Sequence, residues 1–220
     1  SDYFETPEEA VRHYGYLKQV YQSISAKEVY SSYVFPWDCV VLTRSDVVLK
    51  MAYIAWMTND IRLREELCTY LPALESYNRA SYIGIVLART ESKVEQEYVL
   101  QSLGDRSADI RDEAYKVLSE MSLSPEQYQH IEELLRFKYS EMRINAINLL
   151  MKQPEAQLAA SIRRLLSDKN AERRLAGLDM MKSIRNVDFL KDSYQKLLST
   201  VREIQKPNAK EKILIEYHSD

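Results

Sequence analysis

Residues 103–118 read LGDRSADIRDEAYKVL, and this stretch decides the fold. Polar residues 104–107 form a short break that is typical of a turn. After the break, Ile110, Ala114 and Val117 follow one another at spacings of four and three residues, which places them on one face of a helix. The stretch therefore predicts the end of one helix, a short turn and a second, amphipathic helix.

The same frame recurs along the chain. In each copy a Leu precedes a cationic residue by eight positions, and small or apolar residues follow three and seven positions later. The cations of the four best copies are 32, 32 and 31 residues apart: Arg79, Arg111, Arg143 and Arg174. A weaker copy 29 residues upstream has Lys50 in the cationic position, followed by the bulky Tyr53 and Met57.

A two-helix unit of this length cannot enclose its own apolar face, so neighbouring units must stack and share a core. The chain has only 4 glycines and 6 prolines in 220 residues, too few for the many tight turns of a β-sandwich or barrel. We therefore expect an all-α fold, a right-handed α-solenoid (α-α superhelix) of about four to five helix pairs.

We expect a single domain with an atypical N-terminal cap that is rich in Tyr and Trp. Within the cap, Ser31–Asp38 is predicted to be a loop, because Pro36 interrupts it. Residues 188–203 are predicted to form the last helix, followed by a tail. The predicted segments of this 1–220 domain are the cap over 1–58, the repeats over 59–185 and the C-terminal helix and tail over 186–220.

Several helix starts carry capping signals. Thr6, Ser25, Ser92 and Ser124 each precede a Glu or Gln by three residues, which is the spacing of a capping box. We expect helices to begin directly after them.

The repeat resembles the HEAT repeats, whose second helix opens with an apolar–Arg pair after a turn Asp. In two units an Asp precedes the Arg by six residues, at Asp105 and Asp168. The units that begin at Leu71 and Leu135 lack this Asp, and every unit lacks the Pro that often follows it, which leaves armadillo-like or mixed geometry open. The resemblance covers residues 59–185 and implies a binding scaffold.

The repeated arginines would form a ladder along successive second helices. The resemblance implies that they bond the turn Asp and neighbouring carbonyls, because partly buried arginines must be paired. The alternative is an anion-binding stripe. A denser basic cluster, Arg163, Arg164, Lys169, Arg173 and Arg174, is interpreted as a solvated turn surface, with contact to an acidic partner as its alternative.

The sequence shows no recognisable catalytic or metal-binding motif. It contains no Gly-rich phosphate loop, no His-Glu-x-x-His, no paired Cys motif and no Gly-x-Ser-x-Gly. His13, His130 and His218 lack ligand spacing. Cys39 and Cys68 are interpreted as buried, reduced thiols. We expect a protein that is not an enzyme and needs no cofactor or metal.

Charge and hydropathy limit the classes of partner. The chain carries 30 Lys plus Arg against 33 Asp plus Glu, a net charge of −3, so we expect no nucleic-acid partner. No apolar run reaches the length of a membrane span, and no signal peptide is recognisable, so a cytoplasmic location is predicted. The first residue is Ser1, which is compatible with a segment of a longer protein.

The predicted function is a non-catalytic scaffold that binds a protein or peptide through a concave stripe of its second helices. A protein-binding patch around Tyr14, Tyr16 and Tyr21 is an alternative surface. The alternative function is a HEAT-like DNA glycosylase or another nucleic-acid-processing enzyme, which requires a cationic groove with a carboxylate. The predicted stripe consists of Asp112, Glu113, Lys116, Asn145, Asn148, Asp179 and Lys182.

Overall fold

The structure is a computed structural model that describes residues 6–26, 30–35, 38–138 and 140–219. For residues 30–35, 38–40 and 140 it describes the backbone alone. Helices form most of the described chain, as predicted. None of the described helices has the length and apolar character needed to cross a bilayer.

The first half of the chain contains six of the described helices and one β-hairpin. Their bounds are α1 Pro7–Ser23, β1 Tyr30–Phe35, β2 Asp38–Leu42, α2 Arg44–Thr58, α3 Ile61–Leu67, α4 Ser76–Tyr82, α5 Lys93–Ser102 and α6 Ala108–Glu120. A 3-10 turn, Leu71–Ala73, precedes α4, and a π-helical segment, Ile83–Leu87, directly follows it.

The second half contains six further described helices. Their bounds are α7 Pro125–Leu134, α8 Ser140–Leu150, α9 Glu155–Leu166, α10 Ala171–Ile184, α11 Lys191–Arg202 and α12 Ala209–Tyr217. A 3-10 turn, Asp188–Leu190, precedes α11. Residues 188–203 are therefore helical as predicted. They are not the last helix, however, because α12 forms where a tail was expected.

The predicted repeat frame is confirmed by the positions of its arginines. Arg79, Arg111, Arg143 and Arg174 are each the fourth residue of their helix, α4, α6, α8 and α10. The capping signals are confirmed at three helices: the side chains of Thr6, Ser92 and Ser124 each accept from the backbone N–H three residues on. Glu28, the predicted partner of Ser25, lies outside the described residues.

The chain divides into two compact units, Ser1–Val117 and Leu118–Asp220. This division does not coincide with the predicted segments 1–58, 59–185 and 186–220, and their union in one domain stays a prediction. In the first unit, α2 packs against α1 and α3, and α3 packs against α5. In the second unit, α7, α9 and α11 are successive neighbours, and α8, α10 and α12 are successive neighbours. Helix pairs in the second unit are thus arranged in two layers.

The predicted loop over Ser31–Asp38 is wrong. β1 and β2 pair antiparallel, with Tyr30 opposite Leu42 and Tyr33 opposite Cys39, and the register is irregular between Tyr33 and Phe35. Aromatic and β-branched residues are frequent in both strands, and these residue types favour an extended backbone. Pro36, on which the loop prediction depended, lies outside the described residues.

Ala146 is a close-packing position of the repeat, as the frame predicts, and is only 2% exposed in α8. We expect Ala146→Leu to destabilise the fold by about 1–3 kcal/mol, because three added carbons overpack the contact. Thermal unfolding measures the effect. Asn148→Leu, at an exposed position of the same helix, is the control and leaves the melting temperature nearly unchanged. Equal melting temperatures for the two variants would contradict this packing.

Candidate functional site

An open apolar groove lies in the first unit, between α2 on one side and α4 with its π-helical extension on the other. Its volume is about 760 Å³. α1 contributes one residue, and one more comes from the segment before α4. The lining residues are His13, Leu49, Lys50, Ala52, Tyr53, Ile54, Trp56, Leu74, Asn78, Ser81, Tyr82, Ile85 and Val86.

Helix α2 forms the first wall and is apolar on both faces. Its inner face is buried, through Val47, Val48, Met51, Ala52, Ile54 and Ala55. Its outer face carries Leu49, Tyr53, Trp56 and Met57, each between 37% and 52% exposed. A helix that is apolar all round is normally buried on every side, but the described residues leave the outer face of α2 partly exposed.

The second wall continues from α4 into the π-helical segment Ile83–Leu87. The ends of this segment, Ile83 and Leu87, are fully buried, whereas Ile85 between them is 73% exposed at the groove. Both ends of the segment are therefore packed in the core, while Ile85 at its centre is exposed to solvent. Short π-helical turns of this kind are frequent at functional sites.

Two aromatic rings of the groove lie close together and are partly exposed. The ring centroids of Tyr53 and Trp56 are 6.0 Å apart, and Trp56 is 52% exposed. Large amphipathic rings that stay accessible are a common feature of protein-binding surfaces. Tyr14 and Tyr16 on α1 lie in opposite environments, at 1% and 61% exposure, so Tyr14 cannot contribute to the alternative binding patch.

The ionic groups in the groove are of one sign. Lys50 and His13 are the basic side chains of the lining, and no carboxylate occurs among the described residues that line it. Asn78 and Ser81 add neutral polar groups. The groove is therefore an apolar surface with a basic edge, which suits an apolar occupant that carries a negative charge.

The sequence contained a signal for this groove that the repeat frame treated as a weak copy. In the other copies, mostly small or buried residues follow the cation at three and seven positions. After Lys50 those positions hold Tyr53 and Met57, and both are partly exposed. Bulky, exposed residues at positions that are closely packed in the other copies indicate a surface that does not serve packing between helices.

The ladder arginines are bound inside the protein, as the scaffold interpretation predicts. Arg111 Nη1 donates to the carbonyls of Asp105 and Arg106 at 2.9 and 3.0 Å. Arg174 Nη1 donates in the same way to the carbonyls of Asp168 and Lys169, at 3.0 and 2.8 Å. In both turns, the ladder arginine therefore contacts main-chain oxygens. The carboxylate of the turn Asp binds other groups.

The carboxylates of Asp105 and Asp168 each form a backbone hydrogen bond and an ion pair. The side chains of Asp105 and Asp168 accept from the backbone N–H two residues later, at 2.9 and 2.7 Å. Each also pairs with a different arginine: Asp105 with Arg79 at 2.9 Å, and Asp168 with Arg173 at 2.8 Å. The turn Asp thus stabilises its own turn and a neighbouring helix, which favours a structural role for the ladder.

Three buried glutamates join helices that are distant in sequence. Glu95 is fully buried and receives Arg64 through two bonds, at 2.9 and 2.7 Å. Glu132 is 2% exposed and receives Arg164 at 2.6 and 3.1 Å. Glu211 is fully buried and accepts from Arg174 Nε at 2.6 Å. Such pairs must stay complete, because a lone buried charge is strongly destabilising.

The interpretation of the basic cluster as a solvated surface is wrong for two of its members, Arg173 and Arg174. Arg164 and Arg174 bind Glu132 and Glu211, as described above. Arg173 is only 16% exposed in its side chain and pairs with Asp168 and Glu133. Arg173 and Arg174 are therefore held in internal ion pairs, whereas Arg163, Arg164 and Lys169 are exposed.

The first-unit part of the predicted stripe lies on α6. Asp112 and Glu113 are half-buried and Lys116 is exposed. Lys116 Nζ donates to Glu113 at 2.6 Å, so these two residues are brought together. The Glu113 carboxylate also lies over Gly84, 2.5 Å from the place that a Cβ would occupy, and the missing side chain of Gly84 permits this approach.

The second-unit part of the stripe lies on α8 and α10. Asn148 is exposed and Asn145 is half-buried. Asp179 is bound to Arg143 Nη2 at 2.6 Å, so it belongs to the ladder. Lys182 is exposed and its Nζ lies 5.2 Å from the ring centroid of Tyr217, within cation–π distance.

The other candidate residues for chemistry have structural surroundings. Burial raises the pKa of the Cys68 thiol to about 12, which makes it unreactive, and Cys68 is a free thiol as predicted. The side chain of Cys39 lies outside the described residues. Within the part of the chain that the structure describes, no group of His, Cys, Asp and Glu could hold a metal ion.

His218 is buried at the end of α12. Its Nε2 lies 3.2 Å from the carbonyl of Leu178, which can only accept, so Nε2 donates and Nδ1 accepts from the Tyr194 hydroxyl at 3.0 Å. Burial lowers the pKa of His218, and the positive charges of Arg185 and Lys182 lower it further, whereas Asp179 and the bond to Leu178 oppose them.

We expect His218 to make the fold sensitive to acid. Because its folded pKa is below the unfolded value of 6.5, its contribution is complete above pH 6.5 and is lost as the pH falls through the folded pKa. His218→Gln should cost about 1–3 kcal/mol at pH 7.5 through lost buried hydrogen bonds, but its melting temperature should fall less between pH 7.5 and 5. Calorimetry at several pH values, with His130→Gln as the control, tests this. Parallel pH profiles for wild type and His218→Gln would contradict it.

Comparison with known proteins adds one finding. The model of a family described as "Family of unknown function (DUF5724)" matches residues 1–219. No curated protein and no solved structure matches the chain.

The expected assignment to the HEAT-repeat (armadillo/HEAT-like) family is wrong, because the family found over almost the whole length is a different one. The misleading signal has a physical origin. A Leu, an Arg and a small residue at fixed offsets are what helix pairs need in order to pack closely and to satisfy a turn. These requirements come from stacking itself and do not identify a family.

Proposed function

Because this chain belongs to the DUF5724 family, whose function is unknown, we propose its role from its own residues: it is a non-catalytic scaffold that binds a protein partner. The observation that carries the proposal is the open groove beside α2. Leu49, Tyr53 and Trp56 leave apolar area in solvent there, and Ile85 faces the same groove. Contiguous exposed apolar patches with polar edges mark interaction sites.

The rest of the fold supports this role by supplying rigidity. The ladder arginines bind turn carbonyls or aspartates, and each buried glutamate binds an arginine of another helix, so these contacts hold helices in place. We propose that the helix pairs stack as a right-handed α-solenoid, an arrangement to which the two layers of the second unit conform. A rigid stack presents a surface whose exposed residues vary without disturbing the core.

The polar stripe is the second candidate surface of the same scaffold, and its residues with exposed side chains are Lys116, Asn148 and Lys182. The glycosylase alternative needs a carboxylate in a cationic groove. The described lining of the groove offers none, which favours the scaffold. The absence of catalysis and a cytoplasmic location stay predictions.

A photo-crosslinking residue in the full-length chain tests the proposal in cells of the source organism. We expect position 85, beside the groove, to crosslink a distinct protein, and position 213, equally exposed on α12, not to do so. Trp56→Ala should abolish the crosslink. Lys116→Glu with Lys182→Glu should preserve it.

Two results would overturn the groove as the binding surface. One is the same set of proteins at positions 85 and 213. The other is a crosslink that survives Trp56→Ala and disappears with the double lysine reversal, which would move the binding surface to the stripe. A chain that captures no protein at either position contradicts the scaffold role itself.

A further inference from the structure

We infer that the occupant of the groove is an amphipathic helix that places an acidic side chain against Lys50. This inference rests on the proposed scaffold function, and it names the chemistry of the partner. It follows from the length of the apolar row, the sign of the charges and the openness of the groove.

The length of the apolar row matches a helix of about two turns. Leu49, Tyr53 and Trp56 follow one another at spacings of four and three residues along α2 and span eight residues, a rise of about 10 Å. Amphipathic helices bind to grooves through residues at i, i+3 or i+4, and i+7, which cover the same distance. The opposite wall supplies Ile85 and Val86, so a partner helix can contact both walls at once.

The charges select an acidic partner. Lys50 is the one charged side chain in α2 from Val47 to Met57, and it is exposed at the groove. A basic edge beside an apolar surface fixes the orientation of a helix that carries a Glu or Asp at the end of its apolar face.

The openness of the groove argues against a small amphiphile such as a fatty acid. Pockets for small ligands usually enclose 70–90% of the ligand surface. Here Trp56 is 52% exposed and Ile85 is 73% exposed. These side chains offer a broad surface for a second macromolecule.

A second copy of this chain is also disfavoured. A symmetric pair formed through this groove brings the same residues of both copies together. Lys50 of one copy would then lie near Lys50 of the other copy, with no carboxylate among the described lining residues to neutralise the two charges. The charge complementarity therefore points to a different, acidic chain.

Phage display selects the occupant directly from random helical sequences. A library of helical peptides of about 18 residues is selected on the full-length chain. We expect enriched peptides to share the apolar spacing above and one acidic residue. The best sequence is then synthesised in three matched forms, with Glu, Gln or Lys at the acidic position, and fluorescence anisotropy measures their affinities.

The charge exchange at Lys50 is the decisive measurement. We expect Lys50→Glu to lower the affinity for the Glu peptide about five- to tenfold and to raise the affinity for the Lys peptide by a similar factor. The affinity for the Gln peptide should change little. Equal effects on all three peptides would overturn the ionic contact.

Other outcomes distinguish the inference from the function on which it rests. If no helix is enriched while the crosslink at position 85 persists, the helical partner is wrong and the scaffold role stands. Binding of dodecanoate that Trp56→Ala abolishes, in the absence of peptide binding, would assign the groove to a small amphiphile. Concentration-dependent dimerisation in light scattering that Trp56→Ala abolishes would assign it to a second copy.

Discussion

Arg64→Ala lowers the free energy of unfolding by about 3–5 kcal/mol, because it leaves a fully buried carboxylate without its guanidinium. Glu95 is 0% exposed, and Arg64 supplies two of its hydrogen bonds, at 2.9 and 2.7 Å. The Thr90 hydroxyl, which also donates to Glu95, cannot neutralise the charge. Urea denaturation measures the loss.

Two further variants separate this effect from the loss of any arginine. Arg62→Ala removes a neighbouring arginine of the same helix whose side chain is 82% exposed, and should leave the melting temperature unchanged. Arg64→Met with Glu95→Met removes both charges and should recover most of the stability. If the double variant is less stable than Arg64→Ala, the carboxylate is not the source of the loss.

Trp56→Ala weakens binding of the selected helical peptide by about 30-fold or more, which is the scale of a tryptophan at the centre of an interface. The indole is accessible in the groove and its ring lies 6.0 Å from that of Tyr53. Because the side chain is half exposed in the free protein, we expect little change in the melting temperature. Anisotropy titration and thermal unfolding of the same preparation measure the two effects.

Phe189→Ala is the matched control for this prediction. Phe189 is 73% exposed, lies in the second unit and is no part of the groove lining. Its removal should leave peptide affinity unchanged. A Trp56→Ala variant that binds the peptide as the wild type does would remove the groove from the binding surface.

The periodic parts of this molecule could be predicted from the sequence. Ala114 and Ala146 are buried at 0% and 2% exposure, because the requirement for close packing repeats with each helix pair and leaves a repeated pattern. The four arginines at equivalent helical positions follow from the same requirement. The hairpin at Tyr30–Leu42 could not be predicted in this way, because it occurs once and its strands are short.

The groove also escaped the repeat frame, for a different reason. A frame identifies what the units share, whereas a binding site depends on where one unit departs from the others. Tyr53 and Met57 were such departures. Their exposure, however, depends on which helices pack beside α2, and the repeat pattern does not specify this part of the tertiary structure. The carboxylates that pair with the arginines could not be predicted from the sequence either, because no fixed spacing connects each arginine with its carboxylate.

The internal ion pairs have a consequence for synthesis of the chain on the ribosome. Arg64 pairs with a residue 31 positions later, Glu132 with one 32 positions later, Arg143 with one 36 positions later and Arg174 with one 37 positions later. Each of these charges therefore leaves the ribosome before its partner does. A newly made helix pair therefore stays electrostatically incomplete until the following pair has emerged, so folding during translation should trail elongation by about one helix pair.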